Sequence, residues 1–242
     1  MDLTPLDRHE RIVLQFSGGK DSIACLLLLR PYLDRIAVLW LNTGDPLPEH
    51  AAQMERVRAL VPHFIEINTD VQANFDDVGW PTDVLPIRND RQVQFLAQQQ
   101  RLPLQSFMAC CYNNLMQPMH DATLRLGATL IIRGQKRADS HKSPLHSGMV
   151  MAGVEYWFPV EDWTDAQVLD YIGDTDLLPA HFEPHHTSLD CWSCTAYLAE
   201  HEWKQPYLEQ HHPEKGAEVR RRLVLIRNEI MRDMKHMGVS NG

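Results

Sequence analysis

Six consecutive residues near the start of the chain have the composition of an anion-binding turn. Ser17 to Ser22 read Ser-Gly-Gly-Lys-Asp-Ser and follow directly on Ile12 to Phe16, an apolar run typical of a strand covered on both faces. Because the two glycines lack Cβ, the backbone can curl until its N–H groups point at one place, where the two serine hydroxyls add donors. A helix beginning at Asp21 or Ser22 would turn its positive end toward the same anion. These residues indicate phosphate binding.

The kinase-type P-loop is another glycine-rich phosphate loop, and this segment does not fit it. That loop needs a glycine five residues before Gly19 and a serine or threonine after the lysine, whereas the chain has Leu14 and Asp21 there. The hexapeptide instead resembles the signature of the PP-loop ATP pyrophosphatases, which cleave ATP between its α and β phosphates. The resemblance implies that Lys20 and the loop amides hold the leaving pyrophosphate, and that Asp21 helps to place Mg²⁺.

Four cysteines form a second set with the residue types of a metal site: Cys110, Cys111, Cys191 and Cys194. Soft thiolates at four positions suit zinc or an iron–sulfur cluster. Adjacent cysteines rarely bind one zinc ion together because neighbouring side chains diverge, whereas the several irons of a cubane accept them more easily. The pattern favours a [4Fe–4S] cluster, with zinc and unligated redox thiols as the alternatives.

A vicinal cysteine pair followed far downstream by C-x-x-C also resembles the pattern of the sulfonucleotide (adenylyl-sulfate and phosphoadenylyl-sulfate) reductases. Gly134 to Ser140 is similar to that family's Gly-x-Arg-Arg-x-Glu-Ser substrate loop, with Lys136 and Asp139 at the two substituted positions. Three more segments are similar to family motifs: residues 41–49, 158–164 and 188–195. The chain is therefore identified as a phosphoadenylyl-sulfate (PAPS) reductase-like member of the PP-loop ATP pyrophosphatases. The resemblance implies this nucleotide-binding set: Ser17, Gly18, Gly19, Lys20, Asp21, Ser22, Thr43, Gly44, Gly134, Lys136 and Arg137.

The chain also departs from the reductases in three ways. Their C-terminal tail carries a nucleophilic cysteine, whereas the last cysteine here is Cys194, and the remaining thiol, Cys25, lies in an apolar helix run that indicates burial. The Arg-Lys couple that usually follows the vicinal cysteines is replaced by Asn114 and Leu115. The pyrophosphate loop, which many reductases have degraded, is complete.

These departures favour an enzyme that consumes ATP over one that reduces a preformed sulfonucleotide. We expect ATP and Mg²⁺ to be bound and ATP to be cleaved to AMP and pyrophosphate, with Lys20 and Asp21 as catalytic residues. Adenylation would activate an acceptor oxygen so that sulfur can be inserted in its place, as the resemblance to DNA phosphorothioation proteins and tRNA thiolases implies. A sulfur-donor protein of the cysteine desulfurase type and a nucleic-acid acceptor are the implied partners, and an oligomer is compatible with the sequence. The alternatives are an assimilatory sulfonucleotide reductase and a non-catalytic nucleotide-sensing subunit.

The rest of the chain must supply a scaffold for these residues. Its 242 residues, of which 44% are hydrophobic, suffice for one α/β domain with a small appendage. The formal net charge of −9 argues against a general attraction to nucleic acid but allows a local basic face. The longest apolar run, Ile23 to Leu29, is too short to cross a bilayer, and five cysteines do not suggest a disulfide framework. We expect a cytoplasmic protein without membrane contact.

Strand-like runs alternate with helix-like segments, which predicts a doubly wound, mostly parallel α/β sheet of the adenine nucleotide alpha-hydrolase type. The ligand loops Ser17 to Ser22 and Asn42 to Pro46 would both lie at the carboxyl edge of this sheet. We predict a nucleotide-binding domain over residues 1–175, and a segment over 176–242 that carries the second cysteine pair and an amphipathic helix. Residues 69–103 break the alternation and are predicted to form a mobile cover. The predicted strands are residues 11–16, 36–41, 63–68, 129–133 and 154–160. The helix that begins at Asp21 or Ser22 is predicted to continue through residues 26–29, and the other predicted helices are 48–61, 113–126 and 214–235.

Overall fold

The computed structural model describes residues 3–139, 143–179, 182, 189, 191–200 and 202–236. The chain forms two compact units, of which the first is Met1–Thr69 with Gln117–Asp190 and the second is Asp70–Met116 with Cys191–Gly242. Both units are discontinuous in sequence, whereas the sequence analysis predicts one boundary after residue 175. In the described residues, no helix is both long enough and apolar enough to span a bilayer.

The regular elements of the two units are numbered in chain order. The strands are β1 (Ile12–Phe16), β2 (Ile36–Asn42), β3 (Phe64–Asn68), β4 (Trp80–Thr82), β5 (Leu104–Ser106), β6 (Leu130–Ile132), β7 (Val150–Met151) and β8 (Val154–Trp157). The α-helices are α1 (Thr4–Arg8), α2 (Lys20–Leu28), α3 (Pro48–Leu60), α4 (Val71–Asp77), α5 (Arg91–Ala97), α6 (Phe107–Cys111), α7 (Gln117–Arg125), α8 (Asp165–Ile172), α9 (Lys204–His211) and α10 (Pro213–His236). Short 3₁₀ turns cover Arg30–Arg35 and Ile87–Asn89, and a π-helical turn covers Tyr112–Met116.

The first unit is built on a six-stranded sheet in the order β3-β2-β1-β6-β8-β7. All neighbours pair in parallel except β7, which runs antiparallel to β8 at one edge. This sheet confirms the predicted mostly parallel α/β fold, and each of the five predicted strands is present, with β6 and β8 shorter than expected. Because β1 lies in the middle, the loop that follows it opens at the carboxyl edge beside the loops of β2 and β6.

Alternate residues of β1 fill two different cores. Leu14 and Phe16 belong to a large apolar cluster with Ile23 and Leu26 of α2, while Val13 packs on the other face with residues such as Leu39. Burial on both faces is what the continuous apolar run predicts for a central parallel strand. The helix after the glycine loop begins at Lys20, one residue earlier than the sequence suggests, and ends at Leu28.

The second unit contains the two-stranded parallel sheet β4-β5 with helices around it. Residues 69–103, predicted to be irregular, form α4, β4, a 3₁₀ turn and α5. The Arg101 guanidinium is almost fully buried and bonds Glu229 at 2.8 Å and Asp233 at 2.7 Å on α10. The predicted C-terminal helix is confirmed as α10, and this arginine ties it to residues far back in the sequence.

Candidate nucleotide site and cysteine site

The glycine loop is a tight turn whose two serines hydrogen-bond its backbone. Ser22 Oγ donates to the Gly19 carbonyl at 2.8 Å and accepts from the Gly18 N–H at 3.1 Å, while the Gly19 N–H donates to Ser17 Oγ at 3.3 Å. Gly18 has a φ of +84°, and a Cβ there would lie 2.6 Å from Met54 Cε. The loop therefore curls as predicted and needs glycine at position 18, both for its backbone conformation and for space.

Two lysine ammonium groups share two carboxylates at the start of α2. Lys20 Nζ lies 3.0 Å from Asp21 Oδ2 and 3.0 Å from Asp165 Oδ1. Lys136 Nζ lies 2.9 Å from Asp21 Oδ1, 3.0 Å from Asp165 Oδ1 and 2.9 Å from Asp139 Oδ1. We call these five residues the lysine–aspartate cluster. It joins the loop after β1 to the loop after β6, so the structure brings together the predicted residues Lys20, Asp21 and Lys136.

The carboxylates of this cluster keep Lys136 charged. Burial acts to lower the pKa of Lys136, but hydrogen bonds with Asp21 and Asp139 outweigh burial and raise the pKa above its ordinary value. Burial likewise acts to raise the pKa of Asp165, yet hydrogen bonds from Lys20 and Lys136 hold that pKa below its ordinary value. Lys136 therefore keeps its charge although it is almost buried, beside the backbone donors of the glycine turn.

Asp165 is a site residue that the sequence analysis missed. It is the first residue of α8, directly after the Asp-Trp-Thr motif that the resemblance did include. Thr164 caps this helix by accepting from the Gln167 N–H at 3.2 Å, and Gln167 Oε1 accepts from the Thr164 N–H at 2.8 Å. This capping box fixes the first turn of α8 and thereby aims the Asp165 carboxylate at the lysines. The sequence signal for Asp165 is its position directly after Thr164, a capping residue at the end of a family motif.

Gly134 is the contact point between the two loops. A Cβ on Gly134 would lie 2.5 Å from both the Asp21 carbonyl carbon and the Ser22 nitrogen. Since both neighbours are backbone atoms, neither can move aside cheaply, and only glycine permits this approach. The close packing of Gly134 on the start of α2 is what brings Lys136 within reach of Asp21.

The remaining predicted nucleotide residues lie around this centre. Thr43 is buried and Gly44, with a φ of +110°, follows β2 at the same edge of the sheet as the glycine loop. The Gly44 N–H donates to Asn42 Oδ1 at 3.0 Å, which holds that turn. Arg137 is exposed, and its guanidinium pairs with Asp162 at 2.9 Å. Ser140, the last residue of the predicted substrate loop, lies outside the described residues.

The four cysteines of the predicted metal site all lie in the second unit. Cys110 is 5% exposed and packs in an apolar cluster with Val71, Phe75 and Cys191. Burial raises the pKa of the Cys110 thiol to about 12, with the charges of Cys194 and Cys111 adding to it. Burial also raises the pKa of Cys191, again with contributions from Cys194 and Cys110. Cys194 therefore lies within electrostatic reach of the other three sulfurs, although the two pairs are far apart in sequence.

Polar groups are directed at these sulfurs. Tyr197 Oη lies 3.7 Å from Cys111 Sγ, and Asn114 Nδ2 lies 3.7 Å from Cys110 Sγ. Asn114 stands where the reductases usually have a basic residue; it is buried and also donates to the Cys110 carbonyl at 2.9 Å. It sits in the π-helical turn that follows the vicinal pair, a type of turn that is frequent at functional sites. Donors of this kind stabilise thiolate ligands.

The C-x-x-C segment is held in place by bonds to the rest of the second unit. Lys204 Nζ donates to the Cys194 carbonyl at 2.5 Å, and Thr195 Oγ1 donates to the Pro81 carbonyl at 2.6 Å. The Asp83 carboxylate accepts from the Tyr197 N–H at 2.7 Å, which helps to hold Tyr197 at a φ of +59°. Ser188 and Asp190, which precede the segment in the family motif, lie outside the described residues.

The four thiols are the residues of this unit that could hold a metal group. In the part of the chain that the structure describes, no group of three or more His, Cys, Asp or Glu side chains is placed to hold one metal ion. In a cubane each cysteine binds a different iron, so the sulfur ligands stand farther apart than around one zinc ion. Four buried or half-buried free thiols near one another are compatible with that wider arrangement.

Cys25, the fifth cysteine, is part of the core as the sequence predicts. It is fully buried on α2, and its Sγ lies 3.7 Å from the Arg133 carbonyl oxygen. Burial, together with the charge of Asp21, raises the pKa of this thiol far above its ordinary value. A thiol in this state is a poor nucleophile.

The fold and the site define the chain as an α/β protein with a pyrophosphate-type loop at the carboxyl edge of a mostly parallel sheet. The model of the phosphoadenosine phosphosulfate reductase domain matches residues 11–197, and the chain belongs to this family. A comparison with curated proteins finds no match.

Two solved structures are similar at low identity. Phosphoadenylyl-sulfate (PAPS) reductase from Candida auris, in a phosphate complex, aligns with a TM-score of 0.44 and 14% identity over 66% of this chain and 70% of the reductase. The NH3-dependent NAD synthetase from Campylobacter jejuni, in complex with the nitrate ion, aligns with a TM-score of 0.44 and 14% identity over 91% of this chain and 86% of the synthetase.

Proposed function

We propose that this protein is an ATP pyrophosphatase that activates an acceptor by adenylation, for sulfur transfer. An acceptor oxygen attacks the α phosphorus of ATP, the bond from that phosphorus to the α–β bridging oxygen breaks, and pyrophosphate leaves with the electron pair. The terminal sulfur of a persulfide can then attack the adenylated acceptor and displace AMP. A second thiol, such as free cysteine, breaks the remaining S–S bond, so that a disulfide forms and the sulfur stays on the acceptor. A complete pyrophosphate loop serves such a reaction because pyrophosphate must be bound in the substrate and stabilised as it departs.

The observation that carries this proposal is the convergence of Lys20 and Lys136 beside the glycine loop. Their ammonium groups lie 3.0 Å and 2.9 Å from the same Asp21 carboxylate, and both are nearly buried. Charge that accumulates on the leaving pyrophosphate is stabilised best by cations already in place in a site with little water. A reductase acting on a nucleotide without β and γ phosphates would have no need of this arrangement.

The carboxylates of the lysine–aspartate cluster position the lysines and supply a ligand for the metal–nucleotide complex. Asp21 and Asp165 each pair with both lysines. Asp21 is the residue that would hold Mg²⁺, an ion that neutralises phosphate charge. The lysines would then exchange carboxylate partners for phosphate oxygens, so their charges stay paired throughout.

The second half of the reaction needs sulfur. We infer that a [4Fe–4S] cluster would be held by Cys110, Cys111, Cys191 and Cys194, and that the sulfur comes from a partner's persulfide, from a donor of the cysteine desulfurase type. Nucleic acid is the proposed acceptor class. What supports the cluster is the donor set itself: Cys194 lies within electrostatic reach of the other three thiols, and Tyr197 and Asn114 are directed at two of the sulfurs.

A true sulfonucleotide reductase is the alternative, and the state of Cys25 counts against it. Such an enzyme needs a thiolate that reaches the sulfate sulfur and is later regenerated by thiol exchange. The one cysteine outside the proposed cluster is fully buried with a raised pKa. A nucleotide-sensing subunit would bind ATP without cleaving it.

The test is a product assay with α-labelled ATP and Mg²⁺ on protein purified without oxygen. Total tRNA and plasmid DNA are supplied in separate reactions, each with a cysteine desulfurase and cysteine. We expect AMP and pyrophosphate in equal amounts and no ADP in at least one reaction. ATP that binds and is recovered intact in every reaction would favour the sensing subunit, and ADP as the product would contradict the proposed bond cleavage.

A further inference from the structure

Arg133 is a half-buried arginine whose charge has no acidic partner among the described residues. It follows β6 directly, at the carboxyl edge of the sheet, one residue before Gly134. Its Nε donates to Gln15 Oε1 at 2.5 Å, and no ion pair joins it to a carboxylate in the described ranges, where Tyr156 is the one ionisable group that acts on it. Burial lowers the pKa of Arg133, with Tyr156 opposing it. A desolvated guanidinium without a counter-ion favours an anion from outside.

The side chain is held in one orientation by a chain of hydrogen bonds on the α7 face of the sheet. Thr123 Oγ1 donates to the Met119 carbonyl at 2.8 Å and therefore accepts from Gln15 Nε2 at 3.1 Å. This fixes the Gln15 amide with its oxygen toward Arg133 Nε. In this chain of hydrogen bonds only Nε of Arg133 donates, to Gln15. The two terminal amines of the guanidinium can therefore donate to another acceptor.

The position of this arginine relates it to the nucleotide site. Ile132 pairs with Leu14, so Arg133 and Gln15 stand side by side at the ends of β6 and β1, each just before a ligand loop. The adjacent Gly134 packs on the backbone of Asp21 and Ser22. Because Leu14 and Phe16 point into the α2 core, Gln15 points to the opposite face of the sheet. The guanidinium thus lies near the glycine loop, on the other side of the sheet from α2.

We propose that Arg133 forms a second oxyanion position in the first unit, separate from the glycine loop, which takes one phosphate group. A guanidinium fork matches two oxygens of a phosphate with two parallel hydrogen bonds. The phosphate belongs either to the nucleotide, as its α phosphate, or to the acceptor. Binding of a phosphate group by Arg133 does not require that the protein cleave ATP.

Two variants test the position from opposite directions. Arg133→Met removes the charge and keeps the length of the side chain, whereas Gln15→Glu leaves Arg133 intact and gives it an internal carboxylate. If Arg133→Met fails to fold, Gln15→Glu still reports, because it adds a partner to a charge that is already half-buried. Both variants lower the net charge by one but change the packing differently. Loss of the same ligand in both would therefore reflect the charge of Arg133 and not a packing defect.

Calorimetry with three probes separates the two sources of phosphate. Pyrophosphate, which fills the glycine loop, should bind both variants as it binds the unmodified protein. If the position takes the nucleotide, both variants lose about tenfold or more in affinity for AMP and none for adenosine. If it takes the acceptor, AMP binding is retained, but inorganic phosphate no longer binds to protein saturated with AMP and pyrophosphate. Unchanged binding of both AMP and inorganic phosphate in both variants would overturn the proposal and leave Arg133 a structural residue.

Discussion

Lys136 Nζ lies 2.9 Å from Asp21 Oδ1, so an ion pair joins residues that are 115 positions apart in the chain. One residue follows the central strand β1 and the other follows its neighbour β6. The pair exists because Gly134 lets the second loop rest on the first residues of α2. The pyrophosphate loop is thus completed by a lysine from elsewhere in the sequence.

Lys20→Ala and Asp21→Ala should each reduce ATP cleavage about a hundredfold or more, since each removes a charged contact from the phosphates or from Mg²⁺. Neither variant should unfold, because both side chains belong to the lysine–aspartate cluster and not to the apolar core. Initial rates of AMP formation, with circular dichroism to verify the fold, provide the check. Arg125→Ala, which truncates an exposed side chain of the same unit outside the nucleotide-binding set, is the control. Near-normal rates of AMP formation in both variants would show that Lys20 and Asp21 are not catalytic residues of an ATP pyrophosphatase.

Gly134→Ala should abolish pyrophosphate binding, because the added Cβ would meet the Asp21 and Ser22 backbone at 2.5 Å and push the two loops apart. The strain is expected to cost about 1–3 kcal/mol in stability. Gly148→Ala is the matched control, since nothing lies within 4 Å of its Cβ position and only its φ of +81° is unfavourable. Thermal melts and calorimetry with pyrophosphate measure both effects. If the two alanine variants bind pyrophosphate equally well, then pyrophosphate binding does not depend on the close packing of Gly134 on Asp21 and Ser22.

Protein purified without oxygen should be brown, with roughly four irons and four sulfides per chain, as expected for a cubane on four thiolates. Replacing Cys110, Cys111, Cys191 or Cys194 by Ser should bleach the spectrum, whereas Cys25→Ser should leave the colour intact because that thiol lies in the core of the first unit. Iron and sulfide analysis, together with the optical spectrum, shows whether the cluster is present in each variant. Stoichiometric zinc without iron would be the contrary result.

Protonation of Glu155 should make the first unit less stable in acid. Its carboxylate accepts from Arg8 at 2.7 Å and lies 2.8 Å from His9 Nε2. Burial acts to raise the pKa of Glu155, but the hydrogen bond with His9 and the charge of Arg8 bring it below its ordinary value. A lowered pKa means that the folded state binds this proton less readily than the unfolded state. The stabilisation is therefore complete above the ordinary glutamate pKa and is lost as pH falls through the lower, folded value.

Glu155→Gln should accordingly lower stability at pH 7 by on the order of 1 kcal/mol, a modest amount because Arg8 is half exposed. The difference from the unmodified protein should shrink as the pH falls below about 4.5. Glu10→Gln, which removes the same charge from an exposed side chain, is the control and should change little. Urea titrations at several pH values measure all three proteins. A difference that stays constant from pH 7 to pH 3 would show that the ion pairs contribute nothing.

The sequence predicts the parts of this protein that depend on local patterns. Ile12–Phe16, the glycine turn and the cysteine spacing are each readable within a few residues, and the motif order identifies the family. Contacts between distant segments are not readable in this way. Asp165 enters the site only because a helix cap aims it there, and Arg133 is conspicuous only once Gln15 is seen beside it. The helices of residues 69–103 were missed because they are short and lie among prolines.

The most direct test of the central claim compares pyrophosphate and sulfite release from one anaerobic preparation. ATP with Mg²⁺, nucleic acid, a cysteine desulfurase and cysteine is supplied in one reaction, and adenylyl sulfate or its 3′-phosphorylated form with thioredoxin in the other. We expect pyrophosphate and AMP in the first reaction and no sulfite in the second, because Cys25 is buried and the other four cysteines are assigned to a cluster. Robust sulfite release that is lost in Cys25→Ser, with no AMP formed from ATP, would contradict the account and identify the protein as a reductase.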